Sequence, residues 1–137
     1  MPAKKFRKCQ KIISSGVSTS TSISFGSYGL VALDGFRFSE KALEATRKVI
    51  TRYIKPHGGV LYVKMMHKMP RTEKPLSVRM GSGKGAVSEY VYNVKKFMVM
   101  FEIDGIPDNI AQKAFLMAFS KIPAKCTIVK KKFINNN

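Results

Sequence analysis

The sequence predicts an α+β domain, two helices packed on a mostly antiparallel sheet, with a basic extended N-terminal arm. Three observations carry that expectation. Two stretches, residues 40–54 and 107–121, repeat apolar side chains at a period near 3.6. Several shorter runs are rich in β-branched and aromatic residues and are bounded by Gly, Pro, Asp or Lys. The 137 residues are 45% hydrophobic, enough for one buried core and too few for two.

Taken in order, residues 1–22 read as the arm. A basic head, Lys4, Lys5, Arg7, Lys8 and Lys11, leads into a Ser/Thr-rich stretch from Ser14 to Ser22 that has little to bury. Residues 23–134 are expected to form the single domain and 135–137 a polar tail. From Ile23 to Leu33 the chain turns apolar and aromatic, and this is the expected first strand, with Gly26 and Gly29 as bulges or close backbone approaches. Ser39 is a good N-cap, Glu40 suits the first helical turn, and Ala42, Leu43, Val49, Ile50, Tyr53 and Ile54 make one apolar face of a helix ended by Pro56, Gly58 and Gly59. Val60 to Met66 reads as a short buried strand, and His67 to Lys74 as an exposed connection. Val87 to Val94 and Phe97 to Ile103, separated by Lys95 and Lys96, have the pattern of an antiparallel hairpin. Pro107 opens a second helix to about Lys121, with Ile110, Ala111, Ala114, Phe115, Ala118 and Phe119 on its apolar face, and Cys126 to Val129 is the last strand.

The charge narrows the function. With 25 Lys and Arg against 8 Asp and Glu, the net charge is +17, which calls for an anionic partner. No apolar run is long enough to span a bilayer, and both helices use their apolar faces on the sheet, so no membrane role is expected. Cys9 and Cys126 lie at opposite ends without a CxxC pair, and His57 and His67 are not spaced as metal ligands to either; reduced thiols, no metal site and no cofactor are expected. Glu102 and Asp104 sit beside Gly105 and Pro107, where strand-to-helix turn chemistry is expected rather than acid–base catalysis, and no Ser or Cys nucleophile is placed with a His. No active site is expected. The 8 Met and 9 Phe read as core filling, with Phe6 inside the basic head as the exception.

The most informative stretch is Thr72-Glu73-Lys74-Pro75 followed by Arg79-Met80-Gly81-Ser82-Gly83-Lys84-Gly85. Glycines at alternate positions permit positive φ and close backbone approach, while Arg79 and Lys84 supply charge, so the loop is expected to bind an anion. It is not a nucleotide-hydrolysing P-loop, because Val78 stands where that motif needs its first glycine. Nor does it open a helix after a buried strand, as a dinucleotide fingerprint would.

These residues resemble one family, large-subunit ribosomal protein sixteen in its bacterial and organellar form. The matching stretches are Lys5-Phe6-Arg7-Lys8, Phe25 to Leu30, Leu43-Glu44-Ala45 with Thr51-Arg52, Thr72 to Pro75, Val78 to Gly85, Asp104 to Pro107, and Ala114-Phe115, in the family's order. The resemblance implies a non-enzymatic constituent of the large ribosomal subunit whose partners are large-subunit rRNA near the peptidyl transferase centre, aminoacyl-site tRNA and neighbouring large-subunit proteins, with no homo-oligomer. The residues expected to bind rRNA are Lys5, Arg7, Lys8, Lys11, Lys41, Arg47, Lys48, Arg52 and Lys74. Those expected to face tRNA are Lys4, Phe6, Arg79, Met80, Gly81, Ser82, Gly83, Lys84 and Gly85.

The sequence departs from the family in places. Residues 12–22 are nearly uncharged where the family has a second basic stretch, Leu61 and Tyr62 stand near the usual Trp, and the connection at His67 to Pro70 is one residue longer. That drift, with many Lys, Ile, Phe and Asn, points to an organellar gene and a mitochondrial ribosome in the matrix, with a plastid or the bacterial cytoplasm as the alternative. The start near the family's own start, without an Arg-rich presequence, fits synthesis inside the organelle or prior removal of a leader. Competing readings are a free-standing RNA-maturation factor, which would cycle on and off RNA, and a phosphate-binding enzyme, which would need a general base near the loop.

Overall fold

The structure, a computed structural model, describes residues 7–11, 15–19, 21–65 and 68–132. The domain is α+β with two helices and antiparallel strand pairing, as expected, but the strands form two sheets rather than one. In chain order the elements are β1 (Tyr28–Ala32), β2 (Phe36–Ser39), α1 (Glu40–Ile54), a 3-10 turn (Lys55–His57), β3 (Val60–Val63), β4 (Lys68–Glu73), β5 (Ala86–Val94), β6 (Val99–Asp104), α2 (Asp108–Phe119) and β7 (Cys126–Lys130). One sheet runs β3-β6-β1-β7 and the other β2-β5-β4.

Helix α1 forms where its signals place it. Ser39 Oγ accepts the Ala42 N–H at 3.2 Å, and Gly58, left-handed at φ 76°, ends the 3-10 turn that follows. Leu43, Thr46, Ile50 and Ile54 are its buried residues, with the Thr46 hydroxyl donating to the Ala42 carbonyl at 2.8 Å so that no polar atom is left unsatisfied. Helix α2 presents Ala111, Ala114, Phe115 and Ala118 to the core and ends at Phe119, two residues short of the expected Lys121. These helices pack with Leu30, Phe38, Phe101 and Ile103 from the strands into a single hydrophobic cluster.

Several strand expectations are corrected. The first strand covers only Tyr28–Ala32; the residues before it leave the ladder because they serve as a cover. Strands β1 and β6 are inner strands of their sheet and are buried along almost their whole length, so a second cover is needed opposite the helices. Residues 23–26 supply it. Ile23 lies over Gly29, where a Cβ would come within 3.0 Å of the Ile23 side chain, and Glu102, in register with Gly29, accepts the N–H groups of Ser24, Phe25 and Gly26 at 3.0, 2.7 and 2.9 Å. Glu102 is therefore an internal anchor and not a turn residue. Its burial pushes the carboxyl pKa up, yet the three backbone donors, with Lys64 at 3.9 Å, outweigh that and hold it below its usual value. Asp104 does have the expected turn role, accepting from Ser27 Oγ at 2.8 Å and Gly105 N at 2.9 Å.

The strand expected over Val60 to Met66 stops at Val63 and lies at a sheet edge, half-buried, with Val60 exposed. The expected connection from His67 to Lys74 is instead mostly strand β4, which pairs with β5. Its Pro, Arg and Lys content is that of an edge strand, where a missing N–H and outward charges cost little. Finally, Val87–Val94 and Phe97–Ile103 do not pair with each other. β5 joins β2 and β4, whereas β6 joins β1 and β3. Between them Phe97 takes a left-handed φ of 64° and its N–H donates to the Ala32 carbonyl at 2.7 Å, so the end of β1 captures the turn and sends the chain from one sheet to the other.

Candidate nucleic-acid interface

The glycine-rich loop is the tip of the β4–β5 hairpin, closed by the pairing of Glu73 with Ala86. Each glycine has its own reason. Gly81 and Gly83 have φ of 117° and 87° with open space where a side chain would be, so the backbone conformation requires them. At Gly85 a Cβ would lie 2.8 Å from the Glu73 carbonyl, so the requirement there is close approach between the two strands. Ser82 also has positive φ, 62°.

Lys74, expected to contact rRNA, is half-buried, and its ammonium donates to the Gly81 carbonyl at 2.5 Å, bracing the loop. What the loop exposes is Arg79, with no ion-pair partner among the described residues, together with fully exposed Met80 and the apolar side chains of Leu76 and Val78.

The arm runs against this hairpin. Lys84 Nζ donates to the Cys9 carbonyl at 2.5 Å and Lys8 Nζ to the Lys84 carbonyl at 3.2 Å, a reciprocal clasp, while the Cys9 thiol approaches the Pro70 carbonyl at 3.6 Å. Neither lysine has a carboxylate partner among the described residues. Further along, Ser18 N donates to the Lys96 carbonyl at 2.9 Å. Arg7, Lys8 and Lys11 are exposed; Lys4, Lys5 and Phe6 lie outside the described residues.

On α1, Lys41, Lys48 and Arg52 are exposed as expected, but Arg47 is engaged. Its guanidinium grips Glu44 in a two-pronged pair, Nε to Oε2 at 3.0 Å and Nη2 to Oε1 at 2.5 Å, and this hydrogen bonding holds the Glu44 carboxyl below its usual pKa and raises that of Arg47. Sequence reasoning also missed a cationic cluster. Arg37, on the outward side of β2, and Lys121, after α2, line one groove with Lys11 and Lys84. The alternation Phe36-Arg37-Phe38 was the available signal, because at a two-residue period it turns Arg37 away from the core that both phenylalanines enter.

Among the described residues no three His, Cys, Asp or Glu side chains converge as metal ligands would, and no helix is long and apolar enough to cross a membrane. The Cys126 thiol is pushed up to about 11 by burial, with Asp34 adding to the shift, which keeps it in its unreactive form.

Comparison with known proteins agrees with this geometry. Residues 1–129 match the family described as Ribosomal protein L16p/L10e. Over 127 residues, 93% of each chain, the sequence is 41% identical to the large ribosomal subunit protein uL16 of Vibrio cholerae serotype O1. On this likeness along nearly the whole chain, the protein belongs to the ribosomal protein L16p/L10e family, a family of structural proteins of the ribosome and not of enzymes.

Proposed function

We propose that the chain is built into the large ribosomal subunit, where residues 23–134 dock on large-subunit rRNA, residues 1–22 reach along it as a basic arm, and the Arg79–Gly85 loop faces aminoacyl-site tRNA. The observation that carries this reading is the loop itself: braced by Lys74, clasped to the arm through Lys84, and exposing Arg79 and Met80. Lys41, Lys48 and Arg52 meet rRNA phosphates, and neighbouring large-subunit proteins complete the surroundings. The protein acts as one copy per subunit. If six to ten phosphate contacts form, rRNA affinity falls about a thousandfold or more from low to moderate salt.

The ribosome sets the location. A mitochondrial one was expected from composition, but the bacterial relative favours the alternative, the cytoplasm of a bacterium.

The test separates loop from docking surface. Arg79→Ala, Gly83→Val and Lys84→Ala are introduced singly, incorporation into large subunits is measured by mass spectrometry, and aminoacyl-tRNA binding and translation rate are read on purified ribosomes. The expected result is full incorporation with slowed tRNA accommodation. Normal rates with full incorporation make the loop a scaffold turn, and failed incorporation makes it part of the docking surface. A free-standing maturation factor would leave the subunits in a high-salt wash, whereas a constituent sediments with them.

A further inference from the structure

The three-stranded sheet has two faces, and only one packs on the core. Phe36, Phe38, Tyr92 and Val94 point inward. Arg37, Glu89 and Val91 alternate with them and open onto a groove of about 700 Å³, whose lining is completed by the arm at Cys9–Lys11, by Lys84 and by Lys121. Its charge is one-sided. Glu89 is the one carboxylate in the lining, and it is already held by Arg71 at 2.6 Å. That leaves Lys11, Arg37, Lys84 and Lys121, none with a carboxylate partner among the described residues.

Between these cations Met69 and Val91, paired across β4 and β5, give the groove an apolar floor, bordered by Ser39, Thr72 and Asn93. A site for phosphate alone needs donors and charge and gains nothing from such a floor, whereas a nucleobase has a face to lay on it. The volume falls in the range of small-ligand clefts. A paired base inside an A-form helix cannot enter, but an unpaired one can be splayed out of its strand.

We propose that this groove holds an unpaired nucleotide of single-stranded RNA, its base over Met69 and Val91 and its flanking phosphates on Arg37 and Lys121. The proposal rests on the reading of the chain as an RNA-bound ribosomal protein and adds to it a second RNA contact on the sheet, which borders the glycine loop at Lys84. Because arm residues line the groove, the bound nucleotide also fastens the arm to the sheet.

The experiment uses the full chain, two RNA probes and one double variant, Arg37→Ala with Lys121→Ala. Affinities for a six-nucleotide oligouridylate and for a base-paired RNA hairpin whose loop is replaced by a non-nucleotide linker are measured at fixed salt, with folding checked by circular dichroism. The expected result is a loss of about tenfold or more for the oligouridylate and a change within about twofold for the hairpin. 4-Thiouridine in the oligomer should crosslink to the peptide containing Met69. Equal losses for both probes, unchanged oligouridylate affinity, or displacement of the oligomer by millimolar inorganic phosphate would each overturn the proposal. Failure of the ribosomal reading looks different: the unmodified chain would not sediment with large subunits, whatever the oligomer affinities.

Discussion

The half of the molecule built on β1, β6 and the helices and the half built on the β4–β5 hairpin use the same residue types for opposite ends. In the first, Glu102 is fully buried and accepts three backbone N–H groups; in the second, Glu89 sits in a salt bridge to a half-exposed Arg71. Gly26 lies where a Cβ would be 2.8 Å from the Ile103 carbonyl, while Gly83 has open space and a left-handed backbone. Methionine follows the same division, with Met100 wholly buried and Met80 wholly exposed. One half is fixed by packing, and the other is held in shape by few internal bonds so that its surface remains for a partner. Residue type alone therefore does not say which role a position has; its neighbours do.

The largest effect expected to sharpen this contrast is Phe115→Ala. The ring is fully buried among both helices and the first sheet, so its loss should cost about 3–5 kcal/mol, whereas Met80→Ala should stay within about 0.5 kcal/mol. Chemical denaturation of both variants measures the difference, and comparable costs would break the comparison.

Next is Glu102→Gln, which removes the charge accepting three N–H bonds and turns an amide donor towards them. A loss of about 2–3 kcal/mol is expected, with faster amide exchange at Ser24, Phe25 and Gly26. The pH dependence has a definite sign. Because the folded carboxyl pKa lies below its ordinary value of 4.5, the stabilisation is fully present above 4.5 and is lost as pH falls through the lowered folded pKa. The wild type should therefore lose stability in acid more steeply than the Gln variant; identical acid profiles would remove Glu102 from its anchoring role.

A smaller effect separates the glycines. Gly83→Ala meets no atom and costs only the strain of a left-handed alanine, about 1 kcal/mol, while Gly26→Ala drives a Cβ against backbone and should cost more. Thermal melts of the pair decide, and a larger cost at Gly83 would reverse the assignment of the two roles. Smallest of all is Glu44→Gln. The Arg47–Glu44 pair is exposed, so no resolvable change in Tm is expected, but the freed guanidinium should tighten RNA binding and steepen its salt dependence. A titration of the hairpin RNA at several salt concentrations checks this.

How far the fold was legible follows the range of the forces involved. Helix α1 could be read from Ser39 to Gly58 because its cap, periodicity and stop are all local. The four-residue strand β2 was harder to read, since Phe36 to Ser39 offers a single alternation, Phe36-Arg37-Phe38. Lys95 and Lys96 imitate a hairpin turn, and bonds between Ala32 and the distant Phe97 and Met98 redirect the chain. In the candidate site, the alternating glycines and the +17 charge were plain. The engagement of Arg47 and Lys74 and the meeting of Arg37 with Lys121 depend on geometry that spacing does not encode.

The carboxylate at position 102 also bears on the order in which the chain acquires its shape. The backbone groups it holds are 76 to 78 residues earlier, and β1, which they precede, pairs with β6 and β7 alone. During synthesis the first strand emerges early and waits unpaired until β6 has left the exit tunnel, and the N-terminal arm before it waits for the β4–β5 hairpin that clasps it. Contacts so far apart in sequence close slowly. A cationic, unseated leader is thus offered to any nearby polyanion before the domain that will position it exists, so timely completion of the second half of the chain decides whether the arm finds its place or is captured elsewhere.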